Sequence, residues 1–118
     1  MKVVIFGGSG FLGSHIADTL AERGYKVRVF DIKRSNYLSS TQEMFMGDIL
    51  DSDRVREAVQ GCDYVYNFAG ITDLDNASTA SMDTINQNIK GNANILEAVR
   101  LTKAKRFVYA STIYVYSN

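Results

Sequence analysis

The chain has 118 residues, 46% of them hydrophobic and 22% charged, enough for one globular core and too few for two. Thirteen basic side chains balance thirteen acidic ones, eight against eight up to Val59 and five against five beyond it, which argues against nucleic acid or an anionic membrane surface as the main partner. No apolar run approaches the roughly 18 residues of a membrane span, the opening MKVVIFGG is too short for a signal-peptide core, and the single Cys62 lacks disulfide or metal partners, so a reducing, cytoplasmic setting is expected.

Apolar runs of strand length alternate with longer segments of helical period. The first predicted strand is Lys2 to Phe6, followed by a helix in which Leu12, Ile16 and Leu20 recur every fourth residue and Gly24 supplies a C-terminal stop. Strands are expected next at Lys26 to Phe30 and Glu43 to Met46. A short helix capped by Asp51 or Ser52 then turns Val55, Ala58 and Val59 inward and ends at Gly61. A fourth strand, Asp63 to Asn67, precedes the polar, aperiodic segment ITDLDNASTAS, which reads as a loop. From about Met82 to Thr102, Ile85, Ile89, Ala93, Leu96 and Val99 form the apolar stripe of a longer helix. Lys103 and Lys105 beyond it suit the negative pole of its dipole, and a last strand runs from Arg106 to Ala110. The pattern predicts a single α/β domain: a doubly wound parallel sheet of about five strands in the order 3-2-1-4-5, with helices on both faces. Its ligand crevice would lie where the order reverses, between strands 1 and 4.

Gly7, Gly10 and Gly13 of VVIFGGSGFLGSHI stand directly between the first strand and the first helix. A tight turn, close approach of backbone to a pyrophosphate, and close packing of helix on sheet each ask for glycine there. The phosphates would meet unpaired backbone N–H groups and the positive end of the helix dipole, with Ser9, Phe11 and Leu12 adding amides. Asp31 follows Gly13 by eighteen residues at the end of strand 2. A carboxylate at that place accepts hydrogen bonds from both adenosine ribose hydroxyls and repels a 2′-phosphate, favouring NAD over NADP. Lys33 and Arg34 pull the other way, since either cation can reach a 2′-phosphate. His15, without a carboxylate or cysteine at ligand spacing, is assigned no role, and no metal site is expected.

Taken together, GGSGFLG, the acid after strand 2, GDILD, NFAG, NQNIKGNANILEA and RFVYASTIYVY resemble, in order and over the whole chain, the extended short-chain dehydrogenase/reductase family. Within it the nucleotide-sugar epimerases and dehydratases are most similar. The resemblance implies a Rossmann-type, NAD-binding domain in which Asp48 hydrogen-bonds the adenine amino group and Ile49 packs on the ring. Read alone, Asp48 equally serves as a helix cap or loop residue. The resemblance further implies that Phe68, Ala69 and Gly70 line the pyrophosphate and nicotinamide side, and that Asn88, otherwise a polar helix residue, supports the site. Asn67 replaces the histidine often found at its place. Thr112 falls on the family's hydroxyl that assists proton transfer, with Ser111 beside it, although a Ser-Thr pair at a strand end is by itself a turn or cap.

The family's essential acid/base is a tyrosine followed four residues later by a lysine that lowers its pKa, and the chain contains no Tyr-x-x-x-Lys. The expectation is therefore the cofactor portion of a larger enzyme acting on a nucleotide sugar, with the substrate lobe lying elsewhere, able to bind NAD and inactive alone. The alternatives are a non-catalytic NAD(P)-sensing or interaction module on the same fold, and a structural fragment with no ligand. With no sixth strand to cover it, the edge RFVYAS is expected to promote self-association.

Overall fold

Strand β1 (Lys2–Phe6) is the axis of the molecule: Val3, Val4, Ile5 and Phe6 are wholly buried. The computed structural model describes residues 1–69 and 81–109. After β1 come α1 (Phe11–Glu22), β2 (Lys26–Asp31), β3 (Gln42–Met46), α2 (Ser52–Val59), β4 (Tyr64–Asn67), α3 (Ser81–Thr102) and β5 (Arg106–Tyr109). The five strands form one parallel sheet in the order β3-β2-β1-β4-β5, as the sequence predicts. Strand bounds differ from expectation by one residue at most among the described residues; Ala110 lies outside them.

Side chains of β1 alternate between two apolar layers. Val3 and Ile5 meet Ala17, Val27 and Val29 beneath α1. Val4 and Phe6 point the other way, into Phe30, Val55, Ala58, Val59, Val65, Ile95 and Ala98 beneath α2 and α3. Burial on both faces is why β1 reads as a continuous apolar run rather than an alternating one. Each such Val, Ile or Phe contributes about 1.5–3 kcal/mol.

Polar groups close the ends of these elements. Asp51 caps α2 by accepting from the Arg54 N–H at 3.2 Å, so of the two expected caps it is Asp51 that serves. Arg28 donates to the Ala58 carbonyl at 2.8 Å, and the Arg28 and Arg54 guanidinium groups both lie over the Phe45 ring. Asp63 accepts from the Lys2 N–H at 3.0 Å and stands 3.8 Å from the Lys105 ammonium, and these contacts, the backbone bond first, hold its carboxyl below the ordinary range. Burial pushes the Cys62 thiol up; it donates to the Ala58 carbonyl and sits in the core as a small apolar group.

Two helix faces differ from the sequence reading. Leu12 of α1 is 51% exposed, and Gly13, Ser14 and Ala17 occupy the buried stripe while Ile16 and Leu20 pack at its margin. On α3, Ile85, Ile89, Ala93 and Leu96 face outward. Among the described side chains of this helix, Gly91, Ile95 and Ala98 are buried, with Asn88, Asn92 and Val99 half-buried beside them.

Candidate functional site

At the carboxyl end of β1 the chain leaves between two neighbours, and the crevice begins there. Phe6 is in register with Phe30 of β2 on one side and with Asn67 of β4 on the other. The Gly7 N–H donates back to the Phe30 carbonyl at 2.8 Å, and the Phe68 N–H donates to the Phe6 carbonyl at 2.7 Å. Gly7 has φ +78°, and a Cβ there would stand 2.7 Å from the Phe68 carbonyl carbon and 2.8 Å from the Ala69 nitrogen. Only glycine allows both the left-handed turn and the passage of the β4 exit across it.

The loop then climbs to α1. The Gly10 N–H donates to the Gly7 carbonyl at 3.2 Å, and the Ser14 N–H donates to the Gly10 carbonyl at 2.9 Å. Gly10 is thus the N-cap, yet it offers no side-chain cap, and no acidic residue occupies the first turn. The N–H groups of Phe11, Leu12 and Gly13 have no partner within the helix and carry its positive pole toward the crevice mouth. Phe11 and Leu12 are exposed beside them, and the Phe11 ring meets His15 edge-on. This arrangement fits an anionic pyrophosphate: amide donors, a helix pole, no carboxylate in the first turn, and at Gly10 a place where a side chain would project with little but the Gly7 carbonyl, 3.4 Å away, near it.

Asp31 joins this loop to the end of β2. Its carboxylate accepts from the Ser9 N–H at 3.1 Å and the Ile32 N–H at 2.7 Å, while the Ser9 hydroxyl donates to the Lys33 carbonyl at 2.7 Å. The Lys33 N–H adds a third, longer contact at 3.4 Å, and since a carboxylate offers about four acceptor positions, one is left for a ligand hydroxyl. The Lys33 and Arg34 side chains are exposed.

The end of β3 lies next. The Gly47 N–H donates to the Asp31 carbonyl at 3.0 Å, and exposed Asp48 accepts from the Leu50 N–H at 3.0 Å, shaping its own turn. Ile49 is half-buried against α3: a Cβ on Gly91 would come within 2.3 Å of Ile49 Cδ1, and the Ile49 carbonyl accepts from Asn94 at 2.9 Å.

On the β4 side, Asn67 is 5% exposed. Its Oδ1 accepts from the Ala69 N–H at 3.0 Å, its Nδ2 donates to Asn92 Oδ1, and Asn92 Nδ2 donates to the Asn88 carbonyl at 2.8 Å. Asn88 is therefore beside the crevice through its backbone. Gly7, Gly10, Phe11, Leu12, Gly13, Asp31, Lys33, Asp48, Ile49, Phe68, Ala69 and Asn88 all fall at the carboxyl ends of the strands or on the elements that follow them. Gly70, Ser111 and Thr112 lie outside the described residues. Asn92 and Gly91 were not singled out by the sequence reading. Their signal is the 88, 91, 92 spacing of small and amide residues, which rivals the apolar stripe on the same helix.

A separate open cleft of about 420 Å³, lined by Asp18, Tyr37, Ser39, Thr41 and Gln42, lies at the far half of α1, where Gln42 donates to Asp18 at 2.9 Å. It holds none of the expected site residues. Among the described residues, no cluster of His, Cys, Asp and Glu suits a metal ion, and no helix is long and apolar enough to cross a membrane.

A family model described as the NAD dependent epimerase/dehydratase family matches residues 3–118. A 3-beta-hydroxysteroid dehydrogenase from Mycolicibacterium neoaurum is 33% identical over 116 residues, 94% of this chain and 32% of the relative. A UDP-glucose 4-epimerase from Yersinia pestis is 30% identical over 130 residues, all of this chain and 38% of the relative. Among solved structures, the UDP-glucose 4-epimerase from Brucella ovis in complex with NAD superposes with a TM-score of 0.90 at 28% identity, covering 99% of this chain and 37% of that one. The chain thus spans about a third of the length of these relatives.

Proposed function

Because the chain belongs to the NAD dependent epimerase/dehydratase family, we propose that it is the NAD-binding portion of an enzyme that transforms a nucleotide sugar. The observation that carries this reading is the glycine loop, in which three helix N–H groups without helical partners open onto a crevice floored by backbone. When bound, NAD supplies a hydride acceptor and donor at its nicotinamide ring. The chain's own residues hold it: the amides of Phe11, Leu12 and Gly13 take the pyrophosphate, and Asp31 accepts from an adenosine ribose hydroxyl. Asp48 and Ile49 flank the adenine, while Phe68, Ala69 and Gly70 border the pyrophosphate and nicotinamide side, with Asn88 in support. Thr112, with Ser111 beside it, is the hydroxyl that assists proton movement at the substrate carbon. Lacking a Tyr-x-x-x-Lys, the 118 residues by themselves bind NAD and do not turn over substrate.

Calorimetry with NAD and NADP tests the reading. Saturable NAD binding, weaker for NADP, is the expected result; heat from neither would end it. Asp31→Ser is expected to weaken NAD about tenfold and to invert the preference, because the loss of charge leaves Lys33 and Arg34 to meet the 2′-phosphate. An unchanged NAD to NADP ratio would show that Asp31 does not face the ribose.

The similarity to a steroid dehydrogenase at 33% identity favours a second reading, in which the same cofactor site serves a hydroxysteroid. Turnover assays of a protein carrying the complete substrate lobe, with a UDP-sugar and with a 3β-hydroxysteroid, separate the two.

The sheet edge adds a proposal about association. β5 pairs with β4 on one side, and Tyr109 at its end is 67% exposed. The same edge of a second copy is expected to pair there. Light scattering would then report a mass rising with concentration, and a constant monomer mass would remove this proposal.

A further inference from the structure

We propose that the side chains of Asn67 and Asn92 form a positioning relay that fixes the backbone of Phe68 and Ala69 over Gly7, and thereby sets the affinity of the crevice for a dinucleotide. This inference rests on the NAD-binding reading above. Its parts are three hydrogen bonds in series: Ala69 N–H to Asn67 Oδ1 at 3.0 Å, Asn67 Nδ2 to Asn92 Oδ1, and Asn92 Nδ2 to the Asn88 carbonyl at 2.8 Å.

The direction of the relay is fixed by its ends. A backbone N–H can only donate, so Asn67 must turn its oxygen to Ala69 and its NH₂ to the helix. A backbone carbonyl can only accept, so Asn92 must turn its NH₂ to Asn88 and its oxygen to Asn67. Both amide orientations follow, and flipping either places like groups face to face. Aligned dipoles in series reinforce one another, and the site is largely dry, since Asn67 is 5% exposed.

The relay acts on the crevice because of where it ends. Ala69 is the second residue after β4, and its nitrogen would stand 2.8 Å from a Cβ on Gly7. The same backbone is therefore clamped between the first glycine of the loop and a side chain anchored on α3. Without the clamp, the Ala69 N–H loses its partner and the β4 exit is free to drift across the space a pyrophosphate needs. Asn67 and Asn92 touch no reacting atom; they act through Ala69.

The test uses two side chains of the same shape at position 92. Asn92→Thr keeps a group that accepts from Asn67 and donates to the Asn88 carbonyl four residues back, as Thr102 already does to the Ala98 carbonyl at 2.7 Å on this helix. Asn92→Val has no such group. The expected result is NAD affinity within about twofold of the parent for the threonine variant and about five- to tenfold weaker for the valine variant. Equal affinities in the two variants, whether both retained or both lost, would overturn the proposal. Should the valine variant fail to fold, Asn67→Asp serves instead. It keeps the acceptor for Ala69 but presents only oxygens to Asn92 Oδ1, so a similar loss is expected and an unchanged affinity would refute the relay. Amide exchange of Ala69, followed by NMR without cofactor, separates the two layers of argument. Faster exchange in the valine variant with none in the threonine variant supports the relay even if the parent shows no NAD binding, a result that would instead sink the functional reading. Identical exchange in both variants would overturn the relay itself.

Discussion

Gly13→Val is expected to cost the chain at least about 3 kcal/mol of stability, a large fraction of the 5–15 kcal/mol typical of a domain. A Cβ at this position would stand 2.4 Å from the Gly7 carbonyl oxygen and 2.8 Å from the Gly8 Cα. Both are backbone atoms of the loop it packs on, so no rotamer change relieves the clash. Either α1 lifts from the sheet, uncovering Ala17 and the β1 and β2 valines beneath it, or the loop gives up its bond from Gly7 to Phe30. Urea unfolding of the variant would show a much lower midpoint, and a midpoint equal to the parent's would mean the helix does not pack as closely as described.

Gly10→Val is expected to do the opposite: to leave the fold standing and to remove the ligand. Gly10 has φ −77° and ψ 175°, a conformation any residue adopts, and a Cβ there meets only the Gly7 oxygen at an ordinary 3.4 Å. Valine is a poorer N-cap than glycine, so a loss of up to about 1 kcal/mol is anticipated in unfolding. NAD affinity, by contrast, should fall by more than about 100-fold, because the new side chain stands among the free amides of the helix start. Calorimetry alongside urea unfolding checks both halves, and binding retained in a folded variant would place the pyrophosphate elsewhere. The pair of variants also separates two reasons for glycine that the sequence presents identically. At Gly13 the fold requires it, whereas at Gly10 nothing in the fold does.

The order of elements was legible because β-branched runs such as VVIF and helical spacings alternate without interruption, and parallel strands buried on both faces leave continuous apolar runs. Strand ends were legible to within a residue. The inward face of α3 was not. Ile85, Ile89, Ala93 and Leu96 carry the stronger apolar signal, yet they point outward, while Gly91 and the Asn92 amide turn toward the sheet. The reason is local: this part of α3 passes the carboxyl ends of the strands, where Ile49 needs the space a side chain at 91 would take and where Asn67 needs a hydrogen-bonding partner. Hydrophobicity measures a residue's cost of exposure, not which neighbour will be near. Similarly, Asp31 and the glycines were legible as a set because their spacing follows from one strand and one helix. The role of Asn67 depends on Asn92, twenty-five residues away, and no local pattern announces it.

The position of β1 between β2 and β4 also bears on the order in which the chain assembles. Val3 pairs with Val27 through a short α1 crossover, but with Tyr64 only after a loop more than twice as long has closed. Contacts near in sequence form at a lower entropic cost, so the β1-α1-β2 unit can organise while its right-hand neighbour is still unfolded. The seam closes when Phe68 bonds to Phe6 and Ala69 settles over Gly7, so the crevice depends on a long-range pairing and not on the local β1-α1-β2 unit alone. A ligand lying along that seam would touch both sides of it, and by mass action would strengthen the cohesion of the two halves to an extent set by its concentration relative to its Kd.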